Sequence, residues 1–164
     1  MAIASHPDCL FCKFVNSQES CYKIWENDDH FAFLSIFPNT EGVCVVIPKK
    51  HLTSYIFDAS DEEISSLMKA SKFVAKALDK TFSDVGRTGV ICEGFGIDHL
   101  HVKLFPMHGT GNMEKWHPIE NNREEYYTTY PGFLSSHDAK RAENAFLKDV
   151  AKKIQGTLTG INEL

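Results

Sequence analysis

The sequence has no long apolar run. Its hydrophobic stretches, such as Val43 to Ile47, fall far short of the roughly 20 residues that a bilayer-spanning helix needs. It has no excess of positive charge: 17 Lys and Arg stand against 22 Asp and Glu, a net charge of −5. That excludes a general cationic field for a nucleic-acid backbone. The first residues, Met1 to Pro7, lack a charged start followed by an apolar core. They do not read as a secretory signal, and the expected compartment is cytoplasmic. The cysteines are five, an odd number without an export signal, so a disulfide framework is not expected. No repeat and no low-complexity tract is present. What is there is an ordinary globular composition, 43% hydrophobic and 24% charged over 164 residues. It suits one domain with room for an extension. Against that background stand eight His and the five Cys, residues suited to metal ligation or catalysis.

The hydrophobic pattern outlines an α+β chain. Cys9 to Ser17 reads as a short opening helix. Tyr22–Glu26 and His30–Leu34 read as strands parted by the turn cluster Asn27-Asp28-Asp29. Val43 to Ile47 is a continuous β-branched run ended by Pro48, the pattern of a buried central strand. Ser60 and Glu63 form a capping-box pair ahead of Ile64, Leu67, Met68, Ser71, Val74, Ala75, Leu78 and Phe82, one face of a long helix. Thr88–Glu93 and His99–Met107 read as strands around the turn Gly94-Phe95-Gly96, with Pro106 helping to close the second. Beyond Gly109 the chain is polar and aromatic, and Asp138–Gln155 reads as a terminal amphipathic helix. Cys21, Cys44 and Cys92 fall on or near strands and read as small core residues.

Three features carry chemistry. Cys9-Leu10-Phe11-Cys12 brings two thiols within reach of one tetrahedral ion, which would need two further ligands. A redox pair or a pair of buried packing thiols are the other readings of that spacing. His99-x-His101-x-Lys103 sets two imidazoles and an ammonium on one face of a strand. Such a row suits phosphate, a metal or both, and a histidine Nε2 is a competent nucleophile toward phosphorus. Finally, Ile47-Pro48-Lys49-Lys50-His51 delivers His51 near the end of a strand.

Together the Cys-x-x-Cys pair, the segment Phe31 to His51, the long helix and Gly94 to Phe105 resemble the histidine-triad (HIT) superfamily over about the first 108 residues. The resemblance implies a domain over 1–108 with an antiparallel sheet and one long helix. Beyond it the aromatic content and the terminal helical pattern lead us to expect a C-terminal helical extension over 109–164 packing on that domain. The resemblance also implies a homodimer. The implied activity is nucleotide hydrolysis or nucleotidyl transfer at the α-phosphate through a covalent nucleotidyl-histidine. The alternative is a nucleotide-binding module of the same fold with weak or lost catalysis. His101 matches the nucleophile, and Lys103 holds the third triad position, normally His. Phe11, Phe33 and Ile36 match positions lining the nucleoside pocket, and Ser35 stands where an acidic residue often meets the ribose. In zinc-containing relatives the first triad histidine is a ligand, which implies a structural Zn²⁺ held by Cys9, Cys12, His51 and His99. The upstream Gly-His pair of many members is Gly42-Val43 here, and the usual Gly-Gln-Ser/Thr before the triad is replaced by Gly94 to Asp98. His108, Lys115 and His117 follow closely enough to be candidates for a missing acid or a phosphate contact. The expected partner is a nucleotide substrate, with no membrane and no general nucleic-acid binding.

Overall fold

A computed structural model describes residues 5–111, 118, 121, 123–135 and 141–147. The chain divides into two compact units, Met1–His117 and Pro118–Leu164. The first contains α1 (Leu10–Val15), β1 (Lys23–Glu26), β2 (His30–Leu34), β3 (Cys44–Pro48), a 3-10 turn at Ile56–Asp58, α2 (Asp61–Thr81), β4 (Val85–Ile91) and β5 (Val102–His108). The strands form one open sheet in the order β1-β2-β3-β5-β4, and every neighbouring pair is antiparallel.

Strand periodicity divides the sheet into two faces. Ala32, Cys44, Val46, Val102 and Leu104 point to one side and pack on Leu67, Val74 and Leu78 of α2. Phe31, Phe33, Val45 and Ile47 point to the other and pack on Cys9, Phe11 and Cys12 around α1. β3 is thus covered on both faces, which explains its unbroken apolar run.

The capping box at α2 is complete. Ser60 Oγ accepts from the Glu63 amide at 3.3 Å, and Glu63 Oε2 accepts from the Ser60 amide at 3.0 Å. Leu67, Ser71, Val74 and Leu78 are buried as the period predicts, but Met68 is exposed and Ala70 takes its place in the core. The expected strand His99–Met107 is shifted. His99 lies in a bend, and the Leu100 amide bonds to the Leu52 carbonyl at 2.9 Å instead of joining the ladder, so β5 begins at Val102. Nor does Pro106 close the strand. The β3 ladder ends at Cys44 opposite Leu104, leaving Pro106 at a local edge, where proline is tolerated. β4 begins at Val85, earlier than its sequence pattern suggests, with an irregular register between Val85 and Thr88.

His108 ties three segments together. Its Nδ1 faces both Asp84 carboxylate oxygens at 3.1 Å, and its Nε2 faces the Glu41 carbonyl at 3.0 Å. Two acceptors at two ring nitrogens favour the imidazolium. The Glu41 carbonyl, followed by Asp84, accordingly raises the His108 pKa, and His108 in turn lowers that of Asp84. This histidine is a structural clasp between those segments. His30 is buried, its Nε2 3.4 Å from Ser66 Oγ and its Nδ1 unpartnered; burial lowers its pKa and keeps it neutral.

In the second unit the Tyr127 and Phe133 rings meet edge to face at 5.8 Å, and the Leu147 amide bonds to the Glu143 carbonyl in a helical turn over 144–147. Most of the expected terminal helix, together with Lys115 and His117, lies outside the described residues. No helix among the described residues is long and apolar enough to cross a membrane.

Two outcomes are expected. Leu67→Ala should lose about 2–5 kcal/mol in urea unfolding, the range for emptying a fully buried leucine site. His108 should titrate by NMR above the ordinary value of about 6.5, and Asp84→Asn should bring it down. Because its folded pKa is raised, the clasp stabilises fully below the unfolded value, and that contribution disappears as pH rises through the folded one.

Candidate metal centre and active-site cavity

Cys9 is the N-cap of α1 and Cys12 lies within its first turn. His51 lies on the chain leaving β3, and His99 in the bend before β5. Their ligand atoms all lie within 4.8 Å of one another. Cys9 Sγ is 3.4 Å from His99 Nδ1, Cys12 Sγ is 3.4 Å from His51 Nδ1, and Cys12 Sγ is 3.6 Å from His99 Nδ1. A tetrahedral ion at about 2.3 Å from sulfur and about 2.1 Å from nitrogen spans S···N edges of about 3.6 Å. The cluster therefore has the size and the donor set to hold a metal. Two thiolates would balance a divalent charge, and the buried set contains no carboxylate.

The surroundings orient these ligands. His99 Nε2–H donates to the Pro48 carbonyl at 2.9 Å, which leaves the Nδ1 lone pair directed at the thiols. Burial dominates the His99 pKa, pulling it to about 4, so the ring is neutral. Burial pushes the Cys9 thiol up. The His6 amide donates to Cys12 Sγ at 3.4 Å, and the His6 ring lies 5.3 Å from that of His51. Asp98, for which sequence suggests no role, accepts from the Ser54 amide at 2.9 Å and ties the His51 loop to the His99 bend. Gly94 completes that junction. It has φ of +72°, and a Cβ there would stand 3.1 Å from the Ser54 carbonyl oxygen.

Next to the cluster lies a cavity of about 540 Å³. Phe11, Phe33, Ser35 and Ile36 all line it, together with His101 and Lys103. The row of three read from sequence thus divides. His99 is fully buried in the Cys/His cluster, while His101 and Lys103 face the cavity. Phe11 stands at the division, its ring edge to face with His99 at 5.8 Å and with His101 at 5.6 Å. His101 Nδ1–H donates to the His99 carbonyl at 2.7 Å, so Nε2 keeps its lone pair. Burial, ahead of all other influences, lowers the His101 pKa and favours the neutral ring. Ser35 Oγ accepts from the Phe37 amide at 3.2 Å and still has a proton to donate.

Residues 16–110 match the model of the HIT domain family. The chain belongs to the HIT family. It is 31% identical over 127 residues to an uncharacterised HIT-like protein of Mycoplasma genitalium, covering 74% of this chain and 89% of that one. It is 34% identical over 99 residues to the adenosine 5'-monophosphoramidase of Saccharomyces cerevisiae, covering 60% of this chain and 61% of that protein. Among solved structures, one from Streptococcus mutans superimposes with a TM-score of 0.66 at 24% identity, covering 94% of this chain and 88% of that one.

Sequence reasoning missed several cavity and support groups of this HIT chain. Phe14, Phe95 and Ile97 also line the cavity. Glu93 forms an ion pair with the Lys103 ammonium. The only sequence signal for that pair would have been the antiparallel register that sets Ile91 opposite Lys103, two residues short of Glu93.

Metal analysis of the purified chain should find one divalent ion per chain. Cys9→Ser/Cys12→Ser should lose it and melt at lower temperature. Metal-free chains with a reversible Cys9–Cys12 disulfide would refute the metal assignment.

Proposed function

We propose that this HIT protein is a nucleotide hydrolase or nucleotidyltransferase acting at the α-phosphate through a covalent nucleotidyl-His101. The observation that carries the reading is an imidazole whose Nδ1–H is held by the His99 carbonyl and which faces an aromatic cavity of about 540 Å³. That size lies in the range of small-molecule sites, and Phe11, Phe33 and Ile36 suit a nucleoside base. Ser35 is available to a ribose hydroxyl. The yeast relative named adenosine 5'-monophosphoramidase supports a nucleoside phosphoramidate or a related nucleotidylated compound as substrate.

In the first step His101 Nε2 forms an N–P bond while the bond from phosphorus to the leaving group breaks. The leaving group departs with the electron pair and takes a proton from water. In the second step a water oxygen, or a second acceptor, attacks phosphorus, the N–P bond breaks and its pair returns to Nε2. With water as acceptor the proton is released to solvent and the product is a nucleoside monophosphate. Lys103 donates to a phosphoryl oxygen and offsets charge in both steps.

The cluster of Cys9, Cys12, His51 and His99 is assigned to a structural zinc, supported by its sulfur and nitrogen donors and tetrahedral edges. Zinc would supply bracing alone, with four protein ligands and no open position. A homodimer is part of the same reading. The outer edge of β4 has no strand partner among the described residues, and Val90 on it is 46% exposed.

His101→Ala and His101→Gly should abolish turnover of nucleoside phosphoramidates and dinucleoside polyphosphates. Mass spectrometry of the quenched wild-type reaction should find a nucleotidyl adduct on His101. Retained turnover in either variant removes the nucleophile.

A further inference from the structure

We propose that Glu93 sets the leaving-group preference of this cavity, steering it toward substrates that release an amine and away from those that release a polyphosphate. The proposal rests on the assignment of His101 as the nucleophile and deepens it by naming the substrate class.

The geometry begins with register. Val45 on β3 and Ile91 on β4 both stand opposite Lys103 on β5, and Val45 lines the cavity with Lys103 and His101. Glu93 follows Ile91 by two residues, and its carboxylate meets the Lys103 ammonium. Side-chain exposure is 30% for Lys103 and 15% for Glu93, so solvent and salt screen this pair less than a surface pair. Among the described residues, Lys103 is the sole lysine or arginine lining the cavity.

Charge then favours one leaving group over the other. A polyphosphate carries several negative charges, and sites that accept one surround it with cations. Here the lining cation is already countered, and an anion brought to Lys103 also approaches Glu93. A polyphosphate therefore meets repulsion as well as attraction at the same place. An amine brings no negative charge. On departure it takes up protons from water and becomes a cation, which meets no net repulsion at the balanced Lys103–Glu93 pair. Glu93 thus acts through Lys103 and through the local field as a positioning residue, without a bond to the reacting phosphorus.

The test compares kcat/KM for adenosine 5'-phosphoramidate with kcat/KM for diadenosine tetraphosphate, without added divalent cation. The wild-type protein should favour the phosphoramidate. Glu93→Gln should move the ratio toward the tetraphosphate by about tenfold or more, and Glu93→Asp, which keeps the charge, should hold the wild-type ratio. An unchanged ratio in Glu93→Gln, an equal shift in Glu93→Asp, or a wild-type preference for the tetraphosphate overturns the proposal. Should Glu93→Gln fail to fold, Glu93→Ala read against Glu93→Asp tests the same charge, and an unchanged ratio in Glu93→Ala overturns the proposal. An inactive His101→Ala beside an unchanged Glu93→Gln ratio rejects this inference alone. An active His101→Ala rejects the nucleophile on which it rests.

Discussion

The structure depends on His99. Its Nδ1 belongs to the Cys9, Cys12 and His51 cluster, its Nε2 is held by the Pro48 carbonyl, and its own carbonyl accepts from His101 Nδ1. One residue therefore links the opening helix, the exit of the central strand and the start of β5. The imidazole of His101 is aimed by a group two residues away that is itself held at both ring nitrogens. A shift in the cluster would be felt at Nε2 of His101, because no flexible side chain intervenes between the two.

Around that link the sheet does the dividing. The face toward α2 is closed by hydrophobic packing. The opposite face carries Phe31, Phe33, Val45 and Ile47, which build the floor shared by the metal cluster and the cavity. Phe11 walls one from the other. Its ring contacts His99 on one side and His101 on the other, so the same phenyl group packs against a metal-ligand candidate and lines the cavity. Polar groups enter at the end nearest β5, where His101, Lys103 and Glu93 meet. Lys103 thus brings to this end of the cavity a charge that Glu93 balances.

Much of the fold was legible because its signals are local. The capping box at Ser60 and Glu63 and the apolar run of β3 follow from short stretches of chain. The separation of Cys9 from Cys12 by one helical turn follows in the same way. Legibility failed where distant segments decide. Strand periodicity placed His99, His101 and Lys103 in one row, but the Leu52 carbonyl takes the Leu100 amide and turns His99 out of the strand. Helical periodicity placed Met68 inward, but the sheet meets α2 along a stripe centred on Ala70 and Ser71. His108 looked like a candidate acid because it follows the motif. Asp84 and the Glu41 carbonyl, remote in sequence, claim both of its nitrogens.

The amino-acid sequence by itself determined the family, the residue types of a four-residue Cys/His cluster and the presence of a histidine two residues beyond it. Each of these is a matter of which side chains occur at which spacing. Only the tertiary structure decided that His99 leaves the strand, that its carbonyl holds the His101 ring, and that Lys103 is paired with Glu93. Those outcomes depend on hydrogen bonds and an ion pair between strands and loops far apart in the chain. Burial strengthens such interactions, and no spacing along the sequence encodes them.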